Sequence, residues 1–329
     1  MLATYYQDER QEPCPNFKLL ALLTLIIVIM KKFQLFGAIA ATTVAFTFNF
    51  AINPTFAADP FRTNNQHQIG DKTEAAFKAI FQDGNYQAAQ RYLKQAEATE
   101  PNEPLAYAMR ASLAYSLDKN LTSFTAYGNK TLETAQRLIP SDPLRGNLYA
   151  GVGYFLQGAS ILARDGTVKG TPEALSKLRL VYQHLDKAEA VSASDPEINL
   201  LRGYMDLMLA VNLPFSNPDQ AIARLENANP TYLAERGLAI GYRDLKQYDK
   251  ALESVNKALT ITANNPELFY LKGQILAEHS KKQNDRTMLA EAIANFDKAI
   301  AKKAQLPASL TKQIERERRL ASNRLTNPT

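Results

Sequence analysis

"YLAERGLAIGYRDLKQYDKALESVNKAL", Tyr232 to Leu259, decides the fold. Apolar and small residues recur along it at helical spacing, as they must in helices that bury one face. Small side chains at Ala239 and Ala251 let two antiparallel helices approach closely, and Tyr242 and Tyr248 fill the space beside them. The stretch reads as helix, tight turn, helix.

The same grammar recurs on both sides of it. "GNYQAAQRYLKQAEATEPNEP" carries Gly84, Tyr86, Ala89, Leu93, Ala96 and Pro101, and "PLAYAMRASLAYSLDKN" follows with Tyr107 and Ala111. "NLYAGVGYFLQGAS" holds the run from Ala150 to Tyr154, and "LLRGYMDLMLA" with Gly203 precedes "PDQAIARLENANP" with Ala221, Leu225, Ala228 and Pro230. "PELFYLKGQILA" carries Phe269 and Gly273, and "LAEAIANFDKAIAKKA" carries Ala292, Phe296 and Ala299. After Pro60 no segment reads as a strand. Pro-, Gly- and Asn-rich breaks separate the helical runs.

These units agree in phase, and their pattern resembles the tetratricopeptide repeat (TPR). Leu238, Ala239 and Tyr242 correspond to the Leu-Gly-x-x-Tyr part of its first helix. Tyr248 corresponds to the aromatic at the turn, and Ala251, Val255 and Ala258 to the second helix. The resemblance implies an all-α fold, a right-handed superhelix of antiparallel helix pairs, or α-solenoid, with about six pairs over residues 70–304. The chain departs from the pattern in lacking tryptophan altogether. Its unit from Leu144 runs through Ala163 and is followed by a loop, "RDGTVKGTP", and another insertion falls around Lys281 to Arg286. Residues 305–329 supply a C-terminal capping helix and tail, with Leu310, Ile314 and Leu320 on its apolar side. The arginines Arg316, Arg318 and Arg319 mix there with Glu315 and Glu317, as on a solvated face.

Upstream of the array, Met30-Lys31-Lys32 is followed by the uncharged run Phe33 to Phe48 and then by "NPTFAADP". Basic start, apolar run and small-residue cut site are the parts of a secretory signal. This predicts a signal over residues 30–57, cleavage after Ala57, a linker over residues 58–69, and an upstream extension, residues 1–29, that belongs to a mis-assigned start. Two alternatives remain: an uncleaved membrane anchor in residues 33–52, or buried helices of a soluble domain. The leader with "AADPF", ahead of a cysteine-free chain, is similar to those of exported tetratricopeptide proteins of cyanobacteria. That resemblance implies the periplasm or thylakoid lumen, and an envelope or photosynthetic complex as partner.

Catalytic patterns are missing. The 329 residues hold one cysteine, Cys14, upstream of the folded part, and three histidines, His67, His184 and His279, none at a metal-ligand spacing. These histidines read as ordinary helix-face residues. Phosphate loops, nucleophile elbows and zinc-protease helices are not present as motifs. The net charge of +5 is too mild to indicate nucleic acid. No catalytic residue, cofactor or metal is assigned.

The expected role is therefore a non-enzymatic scaffold outside the cytoplasm. In the tetratricopeptide family the first helix of each pair lines a concave groove that takes a peptide or helix of another protein. Carried over by position, this implies an apolar mid-groove of Leu148, Val152, Phe155, Leu156, Leu200, Tyr204, Leu207 and Met208, flanked by Arg236 and Arg243. Ser112, Ser116 and Asp244 make its ends more polar. The same side chains could instead be core. The partner is another protein, with a membrane involved only if the leader stays uncleaved. A transport or export accessory is the alternative function, and an enzyme the least favoured.

Overall fold

The computed structural model describes residues 59–212 and 218–326. The leader, its cut after Ala57, the anchor alternative and the upstream extension lie outside the described residues. Among those residues there are twelve α-helices and no strand. The helices pack in adjacent antiparallel pairs, the arrangement of an α-solenoid.

The pairs run in chain order. Helix α1 (Asp71–Phe77), prolonged by a π-helical turn at Lys78–Gln82, pairs with α2 (Tyr86–Thr99). Helix α3 (Pro104–Asp118) pairs with α4 (Leu121–Leu138), and α5 (Pro143–Val191) folds back on itself. Then come α6 (Pro196–Asn212) with α7 (Asp219–Glu226), α8 (Thr231–Asp244) with α9 (Tyr248–Ile261), and α10 (Pro266–Gln283) with α11 (Arg286–Ile300). Helix α12 (Ala308–Thr326) closes the array against α11.

Small residues sit where helices cross, as the spacing required. Ala89, Ala96, Ala239, Ala251 and Ala258 are fully buried, with Leu93 and Val255 beside them. At Gly273 a Cβ would lie 2.6 Å from the Phe296 ring, so the α10–α11 crossing depends on the missing methyl group.

Four local expectations need correction. The loop "RDGTVKGTP" is mostly helical: only Gly166, at φ 76° and ψ 174°, breaks α5. A residue without a side chain adopts that φ at little cost, so one glycine makes the reversal. The insertion near Lys281 lengthens α10 to Gln283 and leaves a turn at Asn284 and Asp285. On α12, Leu310 and Ile314 are buried but Leu320 is 56% exposed, and Ala321 takes the inner position. Seven residues after Ile314 returns to the same helical face, whereas six does not.

The fourth correction concerns residues 58–69. From Asp59 onward they form no free linker: Asp59, Phe61, Arg62 and Ile69 are buried. Phe61 meets the edge of Phe77 at 4.9 Å between ring centres. Phe61 and Ile69 share one hydrophobic cluster with Leu148, Leu200 and Leu233 from three different first helices.

Candidate functional site

Most of the expected mid-groove is not an open surface. Leu148, Leu156, Leu200 and Leu207 are buried in hydrophobic clusters of the fold. Val152, Phe155 and Tyr204 are half-buried against the main cluster. The Tyr204 hydroxyl donates to the Leu233 carbonyl at 2.7 Å, and burial pushes the phenol above its ordinary pKa. The side chain of Met208 lies outside the described residues. Arg236 donates to Glu267 Oε2 at 2.6 Å, while Tyr86 donates to Glu267 Oε1 at 3.0 Å. Arg243 donates to Gln274 Oε1 at 2.9 Å and to its neighbour Asp244. The two arginines tie adjacent helices together rather than flanking an empty channel.

What the structure gathers instead is a row of helix caps. Glu103, Asp142 and Asn265 are the N-caps of α3, α5 and α10, each accepting a backbone N–H of its own first turn. Asp195 does the same for α6 through the N–H groups of Glu197 and Ile198. A proline occupies the first helical position in each, where its missing N–H costs nothing. These caps have a second occupation: with neighbouring residues of the first turns, they hold the N-terminal segment.

Arg62 is the centre of that contact. Its guanidinium donates to Asp195 Oδ2 at 2.7 Å and Oδ1 at 2.8 Å, to Glu197 Oε2 at 2.9 Å and to Asp59 Oδ2 at 2.9 Å. Glu197, fully buried, also accepts from the Tyr149 hydroxyl at 2.6 Å. Arg145, 1% exposed, donates to Glu103 at 2.8 Å and to the Gln68 carbonyl at 3.4 Å. His67 pairs with Asp142, and Asn229, just ahead of α8, donates to the Phe61 carbonyl at 3.0 Å. At the far end Asn265 donates to the carbonyls of Phe81 and Gln82 at 3.1 and 3.2 Å. The segment from Asp59 to Gln82 thus runs across the N-terminal ends of α3, α5, α6, α8 and α10.

The electrostatics follow from burial. Desolvation disfavours both buried guanidinium charges, but Glu197 and Asp195 around Arg62, and Glu103 and Glu197 around Arg145, more than restore them. Burial pushes the Glu197 carboxyl up, and the guanidiniums of Arg145 and Arg62 and the Tyr149 hydroxyl pull it back only partly. The groups that share these buried charges, Arg62, Arg145, Glu103, Asp195, Glu197 and Tyr149, are held in place by one another. Nothing here resembles a nucleophile with a free base. Among the described residues no three His, Cys, Asp or Glu side chains form a metal-binding group. Nor is any helix among them long and apolar enough to cross a membrane.

His67 lies in the irregular segment rather than on a helix face. His184 bonds Asn147 at 2.9 Å, and His279 stacks on Tyr248. Sequence reading missed the cap row, although a signal for it exists. Glu103-Pro104, Asp142-Pro143, Asp195-Pro196, Asn229-Pro230 and Asn265-Pro266 repeat one dipeptide type at the start of five first helices.

Fold and site define an array of antiparallel helix pairs closed at one end by its own N-terminal segment. The chain matches no known protein family and no curated protein.

Proposed function

We propose that the protein is a non-catalytic, tetratricopeptide-like scaffold acting outside the cytoplasm, and that it holds a peptide or helix of a partner protein on its first helices. The observation that carries this reading is the state of the far ends of those helices. Tyr115 on α3, Val152 and Phe155 on α5, and Ile240 on α8 are half-buried, and Ser112 is exposed. Three of the pairs thereby offer apolar and polar groups at the end the N-terminal segment does not reach, and such mixed surfaces suit peptide recognition. Export through the leader at Met30 supplies the compartment in this reading.

The test is crosslinking capture from an envelope fraction with the chain from residue 58 as bait. A Val152→Ser, Phe155→Ser double variant serves as control, with far-UV circular dichroism to check that it folds. Loss of one or more partners from the variant supports the reading. Equal recovery with both baits, from a folded variant, removes it.

A further inference from the structure

The cap row holds one short stretch of the chain, Phe61-Arg62, through specific contacts. Phe61 enters an apolar seat beside Phe77, and the next residue, Arg62, is held in a fork by Asp195, the cap of α6, and by Glu197 of its first turn. Arg62 keeps its backbone in an irregular stretch, and Thr63, Asn64 and Asn65 beyond it are exposed. The contact therefore resembles a bound peptide more than an element of the helix array. A guanidinium held bidentately by a carboxylate is also strongly sequence-selective, because lysine lacks the planar fork.

We propose that this cap end is a receptor for an aromatic-arginine peptide, filled in cis by Phe61-Arg62, and that a partner segment of the same chemistry enters it when the cis segment leaves. Asp195 and Glu197 select the arginine, and the seat beside Phe77 selects the aromatic. Arg145 holds Glu197 from behind at 3.6 Å through Nε, an atom with no hydrogen bond of its own. It keeps a carboxylate aimed at the incoming guanidinium. The tethered segment has an effective concentration of roughly millimolar, so the closed form dominates until a competitor exceeds that or adds contacts of its own. The far-end surface proposed above is not involved, and the two ideas stand or fall on different probes.

The experiment uses the full chain from residue 58 and a fluorescent peptide with the sequence of residues 59–70. In a Phe61→Ser, Arg62→Ala variant the cis occupant is disabled. This variant is expected to bind the native peptide about tenfold or more tighter than the same peptide carrying both substitutions, and about tenfold or more tighter than the wild-type chain binds it. A folded variant that binds both peptides equally, or neither, overturns the proposal.

Should the variant fail to fold, the wild-type chain provides the reading by hydrogen exchange. An isotope-labelled copy of the native peptide at several millimolar, above the tethered segment's roughly millimolar effective concentration, is expected to speed exchange at the amides of Phe61 and His67. Both amides are now held by Asp59. The doubly substituted peptide is expected to leave them unchanged. Unaltered exchange with the native peptide overturns the proposal.

Discussion

The first helices present opposite chemistry at their two ends. At the cap end Glu103, Arg145, Asp195 and Glu197 are buried and paired, and Arg62 reaches Asp195 and Glu197 from 133 and 135 residues away in sequence. At the far end Ser112, Tyr115, Phe155 and Ile240 are half-buried or exposed. A buried ionic cluster tolerates almost no change, because each charge removed strands another without solvent. A half-exposed surface can change with little effect on the fold. The difference teaches which end tolerates substitution: the far end can vary, whereas the cap end is committed to the one short sequence its charges fit.

The sharpest way to break the comparison is Glu197→Ala. That change leaves Arg62, Arg145 and the Tyr149 hydroxyl short of a partner, and a loss of about 3–5 kcal/mol is expected from urea unfolding. A loss no larger than that of a far-end substitution would mean that water reaches the cluster. Next is Asn265→Ala. It removes an N-cap, normally about 1 kcal/mol, and strands the Phe81 and Gln82 carbonyls as well. A loss of about 2–3 kcal/mol is expected in the same measurement, with exchange at residues 81–86 rising first.

The helical pairing was legible because helix burial is a local, periodic signal. Ala89, Leu93, Ala96, Ala251, Val255 and Ala258 could be chosen from spacing alone, and all six are buried. The cap row was not legible in the same way. Acid- or asparagine-proline pairs announce helix starts, but nothing near Asp195 in sequence says that Arg62 will sit on it. Leu148 and Leu200 were assigned to a groove because they fall at the positions that line one in the tetratricopeptide pattern. In the folded chain it is covered, in one cluster with Phe61 and Ile69. Whether an apolar residue on a first helix is surface or core depends on a segment far away, and periodicity carries no information about that.

A smaller effect, tied to pH, belongs to Asp142. Burial alone would raise its carboxyl, but the His67 hydrogen bond, the Arg145 N–H and their charges hold it below the ordinary carboxylate range. A depressed folded value stabilises the fold above the unfolded pKa, about 3.9, and that stabilisation is lost as pH falls through the folded value. Asp142→Ala is therefore expected to lower stability by about 1 kcal/mol at neutral pH, as lost caps do, and to flatten the acid slope below about pH 4. Thermal melts of both proteins between neutral and strongly acidic pH check this. An unchanged slope would place the acid response elsewhere, with Glu197 and Asp206, whose carboxyls burial raises, as the next groups to substitute.

The smallest effect is expected at the far end, where Phe155→Ser tests the other half of the comparison. Phe155 is half-buried and packs on the main cluster from outside, so truncation opens no sealed cavity and strands no polar group. The large losses known for core phenylalanines, about 3–5 kcal/mol, require a cavity that the surroundings cannot fill. At Phe155 the new hydroxyl meets solvent, and a loss of about 1 kcal/mol or less is expected by urea unfolding. A loss approaching that of Glu197→Ala would make Phe155 a core residue like its neighbour Leu156. The far end would then have no spare apolar surface, and the scaffold reading would lose the residues it rests on.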